Sequence, residues 1–319
     1  MYNLHIATDL DECQDLWQRL VPAEVMFDLW EVRECFHRHF QRPPRFIVAE
    51  TAEGICGLLP ASWIEESRCY GYFPGETWEG KTWLEQNRIL ARDESVLAAL
   101  LSPCRPSWHF RYLLPLNGGP NCDVVDETGY LFLAPEYDYD MENYFREFSH
   151  KSARRLKREL DAIQARGVRY RLDDLSDFDI LVRMNLERFG DRSYFSDGRF
   201  LESFRSLMNF LNERGWLRLT ALIIDGEAVA VDMGCVYRDV YTLLGGGTHA
   251  GYPGIAKFIN IHHMHRACRE RLQQVDFLCG DFSWKRLFHL RLRPLCLLTG
   301  NTAAHAHGEG GSGRPTRGK

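Results

Sequence analysis

The sequence lacks the features that mark several classes of protein. It has no apolar run of the roughly 20 residues that a membrane-spanning helix needs, and its first residues carry acids instead of the apolar core of a secretory signal. Its ten cysteines are scattered without a C-x-x-C pair, and its formal net charge is −5. We therefore expect a cytoplasmic protein with no membrane span and with reduced, mostly buried thiols, whose surface as a whole does not bind nucleic acid.

Metal ligands at a familiar spacing are also lacking. His262 and His265 lie one turn apart on a predicted helix, beside His263. A zinc site would need a further ligand, and no neighbouring residue supplies one at a typical spacing. We expect no metal.

The chain of 319 residues is long enough for two domains, and its character changes near residue 140. Residues 1–140 mix short helix and strand signals, including a hairpin around the turn 52–54, and contain no catalytic motif. Residues 141–300 are predicted to form a second domain. Residues 301–319 end in a stretch rich in glycine and basic residues, which predicts a disordered tail.

The second domain has a clear order of predicted elements. A helix and a strand are followed by two helices, three antiparallel strands, a helix, a strand, a helix and a last strand. The first two of the three antiparallel strands are joined by Asp225-Gly226, a strong signal for a tight hairpin turn. This order predicts a sheet that is covered by helices.

The third of these strands leads through several glycines into a helix, over residues 243–257. The first backbone N–H groups of a helix have no partner within it, and the helix dipole favours an anion beside them. Gly251, Gly254, Ile255 and Ala256 are therefore candidates for a seat that holds a pyrophosphate. A glycine-rich turn without a ligand is the alternative.

A basic helix opens the second domain. Lys151, Arg154, Arg155 and Arg158 recur at helical spacing, so several cations share one face. Such a face is either simply solvated or forms part of a phosphate-binding site.

The order of these motifs resembles the GNAT acyltransferases, and more specifically the CelD/BcsL-type branch, which is similar to the FemABX aminoacyltransferases. The likeness is carried by four stretches: the basic helix at 149–160, the Asp225-Gly226 hairpin, the glycine passage at 245–254, and the ending at 276–285. One departure concerns the acetyl-CoA loop. Where typical GNAT enzymes have Arg or Gln and then Gly, this chain has His249 and Tyr252, if Gly254 is taken as the last position of the motif.

The resemblance implies an α/β (α+β) fold of tandem GNAT-like lobes, with mixed, mostly antiparallel sheets flanked by helices. The C-terminal lobe would be the complete GNAT fold and the N-terminal lobe a degenerate copy. The implied activity is N-acyl transfer from acyl-CoA to an amine acceptor by direct attack. Acyl-CoA would then be a co-substrate, held at the Gly251 to Ala256 helix start with help from Arg154, Arg155 or Arg158.

Three residues are candidates for the chemistry. Asp281 and Lys285 follow a predicted strand, where open α/β sheets tend to bind ligands. In Fem-type relatives a lysine in the corresponding phrase lies at the acceptor site, so the resemblance suggests that Lys285 binds the acceptor or stabilises charge, with Asp281 as its partner or as the base. Asp232 interrupts an apolar strand and is either paired or functional.

Two other functions stay open at this point. Aminoacyl-tRNA could replace acyl-CoA as the donor, with the basic stretch 151–171 on the RNA backbone. A non-catalytic pair of lobes could instead act as a scaffold in an envelope or polysaccharide pathway, which the altered positions His249 and Tyr252 would favour.

Overall fold

The computed structural model describes residues 2–115, 124–280 and 282–301. The N-terminal half forms a mixed set of helices and strands, including the expected hairpin around residues 52–54. In chain order these are β1 (Asn3–Ala7), α1 (Leu10–Leu20), α2 (Trp30–Phe40), β2 (Pro44–Thr51), β3 (Gly54–Ile64), β4 (Cys69–Tyr72), β5 (Leu90–Ala91), α3 (Glu94–Leu101), β6 (Ser107–Leu113) and β7 (Val125–Leu133).

The C-terminal half follows the order of elements predicted from the sequence. Its elements are α4 (Met141–Phe145), α5 (His150–Gln164), β8 (Arg169–Leu172), α6 (Asp177–Phe189), α7 (Gly198–Glu213), β9 (Leu217–Ile224), β10 (Glu227–Tyr237), β11 (Val240–Thr248), α8 (Ile255–Glu270), β12 (Gln274–Asp276), α9 (Ser283–Leu287) and β13 (Arg291–Asn301). The hairpin between β9 and β10 is tight because Asp225 and Gly226 both adopt positive φ, 52° and 86°.

The strands of both halves form one continuous sheet in the order β1-β2-β3-β4-β6-β13-β7-β12-β11-β10-β9-β8, with β5 paired to β3 at its side. The last strand, β13, lies between β6 and β7 and pairs with both. Strand β7 in turn pairs with β12 of the C-terminal half. The two halves are therefore joined through backbone hydrogen bonds as well as through side chains, and the domain boundary at residue 140 stays a prediction.

Helices cover both faces of the C-terminal part of the sheet. On one face, α6 and α7 pack against alternate residues of β10 such as Val231 and Met233. On the other face, α8 packs with its Ile255 and Ile259 near Ala230. The side chain of Asp232, next in this alternation, therefore lies on the face covered by α8.

An aromatic core joins the two halves. Phe36 of α2 stacks on Trp83 at 5.3 Å, and Phe204 of α7 packs edge to face on both rings. Helices α2 and α7 are thus packed together across the boundary between the halves. This packing fixes the chain near residue 83 against the C-terminal half, where it reaches the candidate site.

The state of the cysteines differs in one place from expectation. Cys13, Cys35, Cys56, Cys69, Cys104, Cys235, Cys268 and Cys279 are free thiols, most of them buried. Cys296 is disulfide-bonded, which corrects the expectation that the thiols are reduced. Spacing along the sequence does not show which thiols the folded chain brings together.

Candidate functional site

A cavity of about 390 Å³ lies where β11 and β12 diverge. The two parallel strands are paired only from Val240 to Thr242 on β11 and from Gln274 to Asp276 on β12. Beyond these pairs β11 continues to Thr248, whereas β12 has ended, so Gly245 and Gly246 face the segment 277–279 across the opening. The divergence leaves backbone amides of β11 without a strand partner on this edge.

The glycines of β11 open this wall of the cavity. A side-chain carbon at Gly245 would meet only Phe195, at 3.9 Å, so glycine leaves free space there. A side-chain carbon at Gly246 would collide with the carboxylate of Asp232, which lies on the neighbouring strand. Gly246 thus allows the carboxylate of Asp232 to reach the cavity.

The start of α8 forms one end of the cavity, which Ala256 lines. Gly254 precedes the helix in a left-handed conformation, with a φ of 86°. Among the described residues, the backbone amides of Gly254, Ala256 and Lys257 have no hydrogen-bond acceptor. These three N–H groups are therefore available to an anion.

Only some of the backbone N–H groups in the predicted anion site are free to bind an anion. The amide of Gly251 donates to Nδ1 of His249 at 3.0 Å, and the amide of Ile255 donates to the carbonyl of Tyr252 at 3.2 Å. The side chain of His249, one of the two departures from the typical loop, and the backbone carbonyl of Tyr252 thus accept hydrogen bonds from within the loop. Gly254 and Ala256 keep free amides, and Lys257, which the sequence analysis did not single out, adds a third.

The three predicted phosphate-binding arginines lie on α5. Arg154, Arg155 and Arg158 are exposed on its surface, and none of them lines the cavity. Helix α5 itself contacts the first turn of α8, because Glu159 forms an ion pair with Lys257 at 2.7 Å. Arg188 of α6 lines the cavity instead and donates to the hydroxyl of Thr248 at 3.0 Å. Sequence reasoning missed Arg188. Its hydrogen-bond partner Thr248 is neutral and lies just before the loop.

Asp232 is paired with a histidine of α8. Its carboxylate lies 2.9 Å from Nε2 of His263, and both residues are buried. The ring of Tyr241 stacks on His263 with centroids 4.7 Å apart. His263 was considered only as a member of a histidine group, and no cluster able to hold a metal occurs among the residues described. An acid within an apolar strand signals that such a partner exists, but not which residue it is.

Lys285 is buried at the base of the cavity. Its ammonium group donates to the carbonyl oxygens of Phe277, Leu278 and Cys279 at 2.8, 2.9 and 2.8 Å. Burial lowers its pKa to about 8, although nearby acids such as Glu85 act in the opposite direction. All three of its protons are engaged, so Lys285 holds the segment after β12 in place. Asp281 lies outside the described residues.

The site also contains Glu85, a residue from the N-terminal half that sequence reasoning missed. Both of its carboxylate oxygens accept a hydrogen bond from the amide of Cys279, at 2.9 and 3.2 Å. Burial and, after it, the nearby Asp276 raise the pKa of Glu85 to about 7. Asp276 itself is buried in an ion pair with Arg293, whose Nη1 lies 2.7 Å away. No local sequence signal shows that residue 85 meets residue 279.

Aromatic side chains from both halves surround these polar groups. The rings that line the cavity are those of Trp83, Tyr112, Phe189, Tyr194, Phe195, Phe204, Phe277, Phe282 and Trp284. Trp83 therefore lines the cavity as well as packing in the core. Such walls exclude water and strengthen electrostatic interactions inside the cavity.

Within the described ranges, no helix is long and apolar enough to span a bilayer. Residues 149–286 match the family model of an acetyltransferase (GNAT) domain. None of the curated proteins compared with the chain matches it.

Solved structures share the fold. FemX superposes with a TM-score of 0.57 at 10% identity, covering 94% of this chain and 98% of FemX. A conserved protein of unknown function from Bacteroides thetaiotaomicron gives 0.56 at 12% identity, with 93% and 99% covered. A tandem GNAT protein from the clavulanic acid biosynthesis pathway gives 0.50 at 12% identity, with 94% and 99% covered. The expected mixed α/β fold, a large sheet flanked by helices, is confirmed.

Proposed function

We propose that this chain, whose residues 149–286 match the family model of an acetyltransferase (GNAT) domain, transfers an acyl group from acyl-CoA to an amine acceptor. One observation carries this proposal above the others. A single cavity extends from Ala256, whose amide is free at the start of α8, to buried carboxylates from both halves of the chain. A donor and an acceptor can therefore meet in it.

The residues at the α8 end fit the diphosphate of a CoA thioester. The amides of Gly254, Ala256 and Lys257 supply donors at the positive end of the helix dipole. Arg188 would add a cation from the cavity wall. The open edge of β11 offers backbone groups to the amide-containing arm of the donor, and Gly245 leaves room for it. When bound, the thioester supplies the activated acyl group.

The residues at the other end fit an amine. Glu85, Glu127 and Asp232 bring carboxylates to the cavity, which the rings of Trp83 and Tyr112 also line. Carboxylates in an apolar setting favour a ligand that carries positive charge, as amines do in water. The ammonium group of Lys285 already donates to three backbone carbonyls, so it does not compete with a substrate amine for these carboxylates. We assign Lys285 a structural role, in which it fixes the conformation of the cavity wall at 277–279. Asp232 remains a candidate base.

Direct attack by the amine suits the described side chains better than a covalent enzyme intermediate. Cys279 is the thiol that lines the cavity, and an enzyme nucleophile of this type has to be a thiolate. Burial, with the neighbouring Glu85, raises the pKa of the Cys279 thiol well above its usual range. The thiol therefore stays protonated at neutral pH and does not act as the nucleophile.

Aminoacyl-tRNA is the second candidate donor. The arginines at 154, 155 and 158 are exposed on α5 and lie outside the cavity, where a large polyanion could reach them. The fold shared with FemX is consistent with either donor. The match of residues 149–286 to an acetyltransferase domain supports an enzyme over the scaffold interpretation.

Thermal unfolding with and without donor tests the proposal. Acetyl-CoA, malonyl-CoA and a long-chain acyl-CoA are compared with acetyl-pantetheine, which has the thioester but not the diphosphate. We expect stabilisation by at least one CoA thioester, reaching about 2.7 kcal/mol at about 100 times its Kd, and much less by acetyl-pantetheine. If no CoA thioester stabilises the protein while tRNA binds with a steep salt dependence in a filter assay, the second donor is correct.

A further inference from the structure

We propose that Glu85, supplied by the N-terminal half of the chain, is the general base that takes a proton from the acceptor amine. The inference rests on the acyl transfer proposed above and names a catalytic residue for it. It assigns the N-terminal half a direct part in the chemistry.

The position of Glu85 supports this role. Its side chain lines the cavity while the residue is only 6% exposed. Cys279 is its hydrogen-bond partner among the described residues: both oxygens share the backbone N–H of Cys279, and the Cys279 thiol also interacts with the carboxylate. A carboxylate has about four acceptor sites, so capacity remains for a substrate N–H on the cavity side. The Cys279 contact fixes the carboxylate against the end of β12.

The charged groups around Glu85 come from several elements, and none of those described forms an ion pair with it. Asp276 of β12 and Arg293 of β13 are bonded to each other, and the protons of Lys285 on α9 go to backbone carbonyls. The hydroxyl groups of Tyr112 and Tyr194 also lie near enough to interact with it electrostatically.

Glu127 and the Cys279 thiol also lie on the described cavity lining, and Arg188 lines the cavity as well. With its pKa raised to about 7, Glu85 is substantially ionised at neutral pH and is still basic enough to accept a proton.

Asp232 is less suited to the same task. Its carboxylate is already hydrogen-bonded to His263 and lies against Gly246 of β11. Glu85 instead lies beside Trp83, in the wall that the N-terminal half adds to the cavity. An acceptor that enters between the two halves of the chain therefore meets Glu85 on the side of the cavity from which it enters.

The proposed step balances as follows. The acceptor, which enters as an ammonium ion, first gives one proton to solvent. The nitrogen of the neutral amine then attacks the carbonyl carbon of the thioester and forms the C–N bond, while Glu85 takes one proton from that nitrogen. The C–S bond then breaks, and its electron pair leaves with the CoA sulfur. The thiolate gains a proton from solvent, and Glu85 returns its proton to solvent. The products are an amide and free CoA.

The test compares wild type with Glu85→Gln, Asp232→Asn and the surface control Glu53→Gln. Thiol release from acetyl-CoA is followed between pH 5.5 and 9 with a panel of primary amines that includes phenethylamine, tyramine, a linear diamine and glucosamine. We expect kcat of the wild type and of Glu53→Gln to rise through pH 7 and level off. Glu85→Gln should lose this rise and about 10²- to 10⁴-fold of kcat at pH 8, while acetyl-CoA still stabilises it.

Each other outcome is decisive. A kcat within threefold of wild type in Glu85→Gln, or loss of the pH 7 rise in Asp232→Asn alone, overturns the assignment and leaves acyl transfer intact. No thiol release with any amine, together with no stabilisation by acyl-CoA, overturns the proposed function and this inference with it. Infrared titration of the carboxyl groups adds a readout without substrate: a band that titrates near pH 7 should be present in wild type and missing from Glu85→Gln, and its persistence there refutes the assignment.

Discussion

The raised pKa of Glu85 makes a prediction about stability that is independent of any substrate. Glu85→Gln keeps a side-chain oxygen that can accept the N–H of Cys279 but removes the ionisable group. In wild type, ionisation of this buried carboxyl works against folding. The variant should therefore be the more stable protein wherever the carboxyl would be charged.

The size of the effect follows from linkage between protonation and folding. The pKa of Glu85 is about 7 in the folded chain, against an ordinary 4.5. Between these values the folded state binds more protons than the unfolded state, so the free energy of unfolding of wild type falls as pH rises. At about 1.4 kcal/mol for each pH unit, the stability of Glu85→Gln relative to wild type should increase by about 3 kcal/mol from pH 4 to pH 8.

Urea denaturation of both proteins at several pH values measures this difference. The other carboxyl groups are common to both chains and cancel in the comparison. Glu53→Gln, a substitution in an exposed turn, should show a difference from wild type that does not change with pH. If the difference between Glu85→Gln and wild type is equally flat, Glu85 does not titrate near 7 and the reasoning about its environment is wrong.

Three further substitutions test other parts of the site. Gly254→Val should abolish stabilisation by acetyl-CoA, because a β-branched residue at a φ of 86° distorts the loop. The control Gly198→Val, at a position with free space around it, should still be stabilised by acetyl-CoA. Equal stabilisation of both variants would contradict the proposed anion site. Gly246→Ala should lower the melting temperature and kcat together, because its methyl group displaces the carboxylate of Asp232, and unchanged values of both would refute that contact. Lys285→Ala should retain stabilisation by acetyl-CoA but slow turnover and lower the free energy of unfolding by about 2 kcal/mol, since three carbonyls lose a charged donor; a fully active, equally stable variant in thiol-release and urea assays would contradict this.

Local features of the fold could be predicted because they depend on neighbours in the sequence. The turn at Asp225-Gly226 needs positive φ at both residues, which Asp and Gly tolerate, and the structure has it. The helix that starts after Gly254 follows from the same kind of local rule. The order of elements in the C-terminal half was likewise correct, since periodicity and glycine positions define it.

The candidate site could be predicted only in part. The anion site at the start of α8 stays a prediction. Of the four residues proposed for it, Gly254 and Ala256 have free amides, whereas the side chain of His249 accepts from the amide of Gly251 and the carbonyl of Tyr252 accepts from that of Ile255. In both cases an acceptor within the loop competes with an anion for the same N–H group, and the conformation of the loop decides which of them is bound.

The sequence by itself indicated the likeness to the GNAT acyltransferases and the order of helices and strands, and the place where a donor would bind stays a prediction. The tertiary structure alone decided which charged groups meet inside the cavity. Asp232 meets His263 across 31 residues of chain, and Glu85 meets Cys279 across 194. The physical reason is that burial and the distance between charges set the chemistry of an ionisable side chain, and both arise only when distant segments pack together.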